Sequence, residues 1–146
     1  HGEFELLLSK QNVILNSFQD LKTYEMPKQV RHDKSSLMSD EAVSNFAKKY
    51  NCIVLLKGEK DIVSNGDETT EISGGNAGMT KGGTGDVLAG LIAALACKDD
   101  PLLAACAGSF INKAAGDDLF SEMGFFFNAS DLAAQIPRTM KRLLLG

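Results

Sequence analysis

The chain has little of what marks several large functional classes. It carries no positive surplus: 15 Lys and Arg stand against 19 Asp and Glu, for a formal charge of −4. A general nucleic-acid binder needs cations to neutralise backbone phosphates, so no nucleic-acid partner is expected. No run approaches the roughly 20 apolar residues that span a bilayer, so no membrane segment is expected. No charged-then-apolar leader opens the sequence, which points to a cytoplasmic protein. Cysteine is scarce: Cys52, Cys97 and Cys106 are odd in number and match no zinc spacing. They read as buried, reduced thiols. Two phosphate-binding fingerprints are also missing. There is no Gly-Lys-Ser/Thr triplet, and no strand leads directly into the glycine-rich stretch. Internal repeats and low-complexity segments are absent too.

What is present suits a single α/β segment over residues 1–146. The length is near that of one domain, and 44% hydrophobic content with 23% charge is ample for a core. Residues 3–8 read as a short helix. Residues 11–34 are mixed and read as an exposed connection with at most one short helix. Ser39 is placed to cap a helix with Asp40 and Glu41 in its first turn. Ala42, Val43, Phe46, Ala47 and Tyr50 recur at helical spacing, and Asn51 can end that helix. The continuous apolar run Cys52–Leu56 reads as a strand buried on both faces, as in parallel sheets. Residues 62–64 and 69–72 read as two short strands around Asn65-Gly66, and residues 74–78 as a loop.

Three helices follow. The first runs from Thr84 or Asp86 to about Lys98. One face is Val87, Leu88, Leu91, Ile92 and Leu95, and the other is the small Ala89, Gly90, Ala93 and Ala94, so burial nearly all round is expected. The second starts with Pro101, a favoured first helical residue, and runs towards Phe120. The third starts at Asn128 or Ser130, carries Leu132, Ile136, Met140 and Leu143 as its stripe, and is expected to kink or split at Pro137. One central strand and one hairpin are too few for a complete doubly wound sheet.

The densest signal is Met79-Thr80-Lys81-Gly82-Gly83-Thr84-Gly85-Asp86, followed at once by an apolar helix. Glycine lets a ligand approach the main chain closely. A helix start offers unpaired N–H groups and partial positive charge, which suits a phosphate. A carboxylate beside a phosphate site needs a reason, because the two repel. The simplest is that Asp86 takes a proton from a hydroxyl that attacks phosphorus. The plain alternative is a tight turn whose glycines only solve a packing problem.

The run Asn76-Ala77-Gly78-Met79-Thr80-Lys81-Gly82-Gly83-Thr84-Gly85-Asp86-Val87-Leu88-Ala89-Gly90 resembles the signature of the ADP/ATP-dependent NAD(P)H-hydrate dehydratases of the ribokinase-like superfamily. Leu56-Lys57-Gly58 after a buried strand is similar to that family's adenylate segment. Ala129-Ser130-Asp131-Leu132 with Ile136-Pro137 resembles its last helix. The resemblance implies a ribokinase-like three-layer α/β fold, of which this chain resembles the C-terminal half. It also implies an ADP-dependent lyase that phosphorylates the ring hydroxyl of hydrated NADH or NADPH and then eliminates phosphate. Asp86 would be the general base and a substrate contact. The main-chain N–H groups of Gly83, Thr84 and Gly85 would hold the phosphoryl group. Lys57, Gly58, Glu59, Lys60 and Asp61, with Gly85 and Asn76, would line the nucleotide site. ADP or ATP would be the donor and Mg2+ would accompany it, without a visible carboxylate cluster for the metal.

His1-Gly2-Glu3-Phe4 resembles the end of a family motif in which one residue separates His from Gly-Glu. His1 is carried over on that basis as a substrate contact; the alternative is an exposed chain end. The opening lacks a methionine, which points to a processed chain or a fragment whose N-terminal half would complete the domain. A homo-oligomer is implied as well. Two rivals stay open: a hydroxymethylpyrimidine- or hydroxyethylthiazole-type kinase, and a nucleotide-binding fragment without catalysis.

Other residues have plainer readings beside functional ones. Lys57 is a strand-end lysine or a nucleotide contact, and Lys81 a surface lysine or a phosphate contact. Asn76 is a ligand contact or a left-handed turn residue. His32 is read as solvated, Asp117 and Asp118 as an exposed helical face, and Phe125, Phe126 and Phe127 as core packing after a helix end.

Overall fold

The computed structural model describes residues 12–16 and 40–145. The expected helix over residues 3–8, His1, His32 and Ser39 lie outside them. The described elements are strand β1 (Asn12–Asn16), helix α1 (Asp40–Tyr50), strands β2 (Cys52–Leu56), β3 (Asp61–Ser64) and β4 (Thr69–Ile72), a 3-10 turn (Ala77–Thr80), and helices α2 (Thr84–Ala96), α3 (Pro101–Met123) and α4 (Ala129–Leu145). They fall into two compact units. One holds the described residues up to Gly58 together with Ile62–Glu71, and the other holds Glu59–Asp61 with the residues from Ile72 onward.

The first unit is built on a sheet of order β1-β2-β3-β4. β2 is buried at every position, as its unbroken apolar run predicts. It pairs in parallel with β1, Val13 opposite Ile53 and Leu15 opposite Leu55, and antiparallel with β3. β1 is a correction, because the sequence reading left residues 11–34 without a strand. Only three apolar residues stand between its two asparagines, and its partner lies far along the chain. α1 buries Val43 and Ala47 fully against Cys52, Val54 and Leu56. Tyr50, expected on that stripe, is half exposed. Asn51 ends the helix in the left-handed conformation (φ 48°), a common residue for that role. The β3–β4 connection is shaped by Asn65, whose Oδ1 accepts from the N–H groups of Asp67 and Glu68.

The second unit is helical. Its core joins Met79, Ile111, Ala115, Leu119, Phe127, Leu132 and Ile136. Asp100 caps α3 by accepting from the N–H groups of Leu102 and Leu103, and Pro101 takes the first helical position as expected. Asn128 and Asp131 cap α4 reciprocally: Asn128 Oδ1 accepts from Ser130 and Asp131 N–H, and Asp131 Oδ2 accepts from Asn128 N–H. Pro137 does not split α4, which is continuous.

Several expectations are corrected here. The small face of α2 is not covered: Gly90, Ala93 and Ala94 are exposed, and only Thr84, Leu88 and Ile92 are buried. Small side chains permit a close neighbour, but the described residues supply none. Of the three phenylalanines only Phe127 is core, while Phe126 is 93% exposed and Phe125 stacks on the half-exposed Phe120. Of the cysteines only Cys52 is buried, and burial raises its thiol pKa; Cys97 is exposed and Cys106 is intermediate. No described helix is long and apolar enough to cross a membrane.

Candidate functional site

The site is built at the start of α2, inside the second unit. The 3-10 turn is capped by Asn76, whose Oδ1 accepts from Gly78 N–H. Asn76 also donates through Nδ2 to the carbonyl of Gly116 (2.9 Å) and to Asp117 Oδ1 (3.0 Å). Its backbone is extended (φ −146°), so the left-handed alternative is corrected. Asp117 accepts a further bond from Gly75 N–H at 2.9 Å. Gly78 sits where a Cβ would fall 2.7 Å from the Phe127 ring, so packing alone requires glycine there. Lys81 is neither a free surface lysine nor aimed at an anion. It donates to the carbonyls of Phe125 and Phe127, the latter at 2.6 Å, and lies over the Phe127 ring. The loop is therefore fastened on both sides before the helix begins.

Gly83 makes the turn into α2 with φ 87°, a left-handed conformation that disfavours any side chain. Thr84 is 2% exposed, and its hydroxyl lies within hydrogen-bond reach of the Met79 and Lys81 carbonyls. Its N–H reaches the Lys81 carbonyl only at 3.4 Å. The first bond that closes the helix runs from Val87 N–H to the Gly83 carbonyl at 3.1 Å. That leaves the N–H groups of Gly83, Gly85 and Asp86 without an acceptor among the described residues, as the opening turn of a helix requires. A Cβ at Gly82 or at Gly85 would meet nothing within 4 Å. Packing explains Gly78 and Gly83; it does not explain Gly82 and Gly85. Missing side chains there keep the space above unpaired amides open. Asp86 stands in the first turn of α2, exposed, with no side-chain partner among the described residues.

The other candidates lie as follows. Lys57 is half-buried at the end of β2, and Gly58, Glu59 and Lys60 are exposed. Asp61 is 2% exposed and turned inward: it accepts from Ser109 Oγ at 2.7 Å and pairs with Lys113 Nζ at 3.3 Å. Sequence reasoning missed Ser109 and Lys113, although a signal existed. Lys113 is the one charge between Asp100 and Asp117 in a helix of apolar and small residues.

Asp117 and Asp118, expected on an exposed face, are both structural anchors. Asp118 accepts from Thr139 Oγ1 (2.6 Å) and from Arg142 (2.9 and 3.0 Å), which ties α3 to α4. Burial works to raise its pKa, but the Thr139 hydroxyl and the Arg142 guanidinium hold the carboxyl below the ordinary aspartate value. A depressed carboxyl binds fewer protons folded than unfolded. Its contribution is complete above the unfolded value and is lost as pH falls through the lower folded value. The melting temperature of the wild type should therefore fall more steeply below about pH 4 than that of Asp118→Asn. Thermal melts at a series of acid pH values check this; equal slopes would contradict it.

Comparison with known proteins agrees with these features. A model of the NAD(P)H-hydrate dehydratase family matches residues 18–138. The chain is 42% identical over 112 residues to a bifunctional NAD(P)H-hydrate repair enzyme, Nnr, of Archaeoglobus fulgidus, covering 77% of this chain and 24% of that protein. It is 37% identical over 118 residues to an ADP-dependent (S)-NAD(P)H-hydrate dehydratase of Nitrosopumilus maritimus, covering 80% of this chain and 39% of that one. Among solved structures it is similar to the ADP/ATP-dependent NAD(P)H-hydrate dehydratase of Bacillus subtilis co-crystallised with ATP/Mg2+, with TM-score 0.65, 27% identity, and 70% of this chain against 38% of that one. The chain thus spans well under half the length of the proteins it matches. The ribokinase-like α/β class expected from the sequence is that of a further solved neighbour, a ribokinase-like superfamily protein of Enterococcus faecalis, with TM-score 0.60, 29% identity, and 68% of this chain against 35% of that one. With the glycine loop, its capped approach and Asp86 all inside the matched stretch, the chain belongs to the NAD(P)H-hydrate dehydratase family.

Proposed function

We propose that this chain carries the phosphoryl-transfer end of an ADP-dependent NAD(P)H-hydrate dehydratase. The observation that supports it most is the pairing of unpartnered N–H groups at Gly83, Gly85 and Asp86 with the empty space over Gly82 and Gly85. Such an arrangement suits an anion that approaches the main chain closely. Relatives named for ADP-dependent dehydration supply the substrate class.

When bound, ADP with Mg2+ would supply the phosphoryl group and offset its charge. Asp86 accepts the proton of the ring hydroxyl as that oxygen forms its bond to the terminal phosphorus of ADP and the bond from that phosphorus to the bridging oxygen breaks, releasing AMP. The amides of Gly83 and Gly85 hold the charge that develops on the phosphoryl oxygens, and the Thr84 amide joins them by giving up its long bond to Lys81. The bond from ring carbon to that oxygen then breaks, the oxygen leaves as part of phosphate, and the neighbouring ring carbon gives up a proton to water, which restores the ring double bond. Lys57, Gly58, Glu59, Lys60 and Asp61 form the nucleotide segment in this reading. Its exposed members, Gly58 to Lys60, are the direct contacts, and Asp61 acts from beneath. Asn76 supports the loop through its three bonds. His1 remains a proposed substrate contact. The chain is proposed as part of a larger single domain in a cytoplasmic homo-oligomer.

Hydrated NADH incubated with ADP or with ATP tests the reading. Recovery of nicotinamide absorbance with release of free phosphate is expected, faster with ADP. A stable phosphorylated alcohol instead would mark a small-molecule kinase, and nucleotide binding without turnover a non-catalytic fragment.

A further inference from the structure

Lys113 lies in the middle of α3 and is 5% exposed. Lysine is almost never buried unless paired. Its Nζ lies 3.3 Å from Asp61 Oδ1, and it donates to the carbonyls of Glu59 (3.0 Å) and Gly74 (3.1 Å). Asp61 is held in turn by Ser109, one helical turn earlier on α3. A buried ion pair is a poor stabilising device, since apolar residues of similar volume often serve as well or better. An apolar pair could not gather two main-chain carbonyls from two separate stretches. The first stretch, Glu59–Asp61, belongs to the proposed nucleotide segment. The second, at Gly74, opens the loop that leads through the 3-10 turn into α2. One turn further along α3, Asp117 holds the next two residues of that loop, Gly75 and Asn76. A Cβ on Gly75 would lie 3.2 Å from Lys113 Cγ, so the loop is laid directly on the lysine stem.

We infer that Lys113 is a positioning residue for nucleotide binding: its ammonium fixes the Glu59–Asp61 segment against the entry to the glycine loop, without itself touching the ligand. This rests on the nucleotide reading above. The test is calorimetric titration of ADP into the full 146-residue chain, well below the melting temperature of every variant used. Lys113→Met should weaken ADP binding about ten-fold. Lys113→Arg, which keeps the charge and the donors, should recover most of the affinity. Should Lys113→Met fail to fold, the Asp61→Asn/Lys113→Met double variant removes both buried charges, and it should bind ADP about ten-fold more weakly than Asp61→Asn alone. A structural role without positioning would lower the melting temperature but leave ADP affinity unchanged, and that result overturns the inference. Equal losses in the Met and Arg variants overturn it as well. If the wild type does not bind ADP, the nucleotide reading falls and takes this inference with it.

Discussion

Asp86→Asn is expected to abolish turnover of hydrated NADH, lowering kcat by about three orders of magnitude, while ADP still binds. The substitution keeps the size of the side chain and removes its capacity to accept a proton. The amides of Gly83 and Gly85 are main-chain groups and survive it. Removing a negative charge beside the proposed phosphate site also relieves repulsion, so ADP affinity should hold or rise slightly. Asp86 is exposed and has no side-chain partner among the described residues, so its loss should cost no more than about 1 kcal/mol of stability, the carboxylate's interaction with the start of α2. Steady-state kinetics together with ADP titration check this. Full activity in the variant would remove Asp86 from the chemistry.

Phe127→Ala should be the most damaging single change to the second unit, costing about 4 kcal/mol. Phe127 is 1% exposed and sits in the core with Met79, Leu119 and Leu132. Its ring fills the space that Gly78 leaves, and its carbonyl and face both receive Lys81. The loss is a large part of the roughly 5–15 kcal/mol available to a domain, and the melting temperature should fall by on the order of 15 °C. Because the ring also seats the 3-10 turn, ADP affinity should drop in the fraction that remains folded. Phe126→Ala, at a 93% exposed position, is the internal control and should change little. Comparable losses in both would contradict the packing described here.

The parts of this fold that show in the sequence are those with dense local patterns. β2 is a run of five apolar residues between a helix end and Lys57-Gly58, and it needs no distant information to be read as a buried strand. The caps of α3 and α4 are likewise written in adjacent residues: Asp100 with Pro101, and Asn128 with Asp131. β1 was not legible, because a short apolar run acquires meaning only from pairing with a strand beyond a long crossover. Lys113 was visible as an isolated charge, but its partners at Glu59, Asp61 and Gly74 lie some forty to fifty residues earlier. The small face of α2 misled for a related reason. Ala89, Gly90, Ala93 and Ala94 tell what a neighbour would be allowed to do, not whether one is present.

The glycine loop shows the same boundary within the site. Sequence alone treats Gly78, Gly82, Gly83 and Gly85 as equivalent members of one motif. The structure divides them into two that packing or backbone angle demands and two that nothing among the described residues demands. That division, rather than glycine content, supports the proposed ligand cradle over a tight turn.

The most direct test of the cradle is to follow the backbone amide resonances of Gly83, Thr84, Gly85 and Asp86 in nitrogen-15-labelled protein as ADP is added with Mg2+. The account predicts that these four shift together and saturate with the same affinity as the calorimetric binding curve. ADP that binds while these amides stay unmoved would contradict it, and would place the phosphates elsewhere.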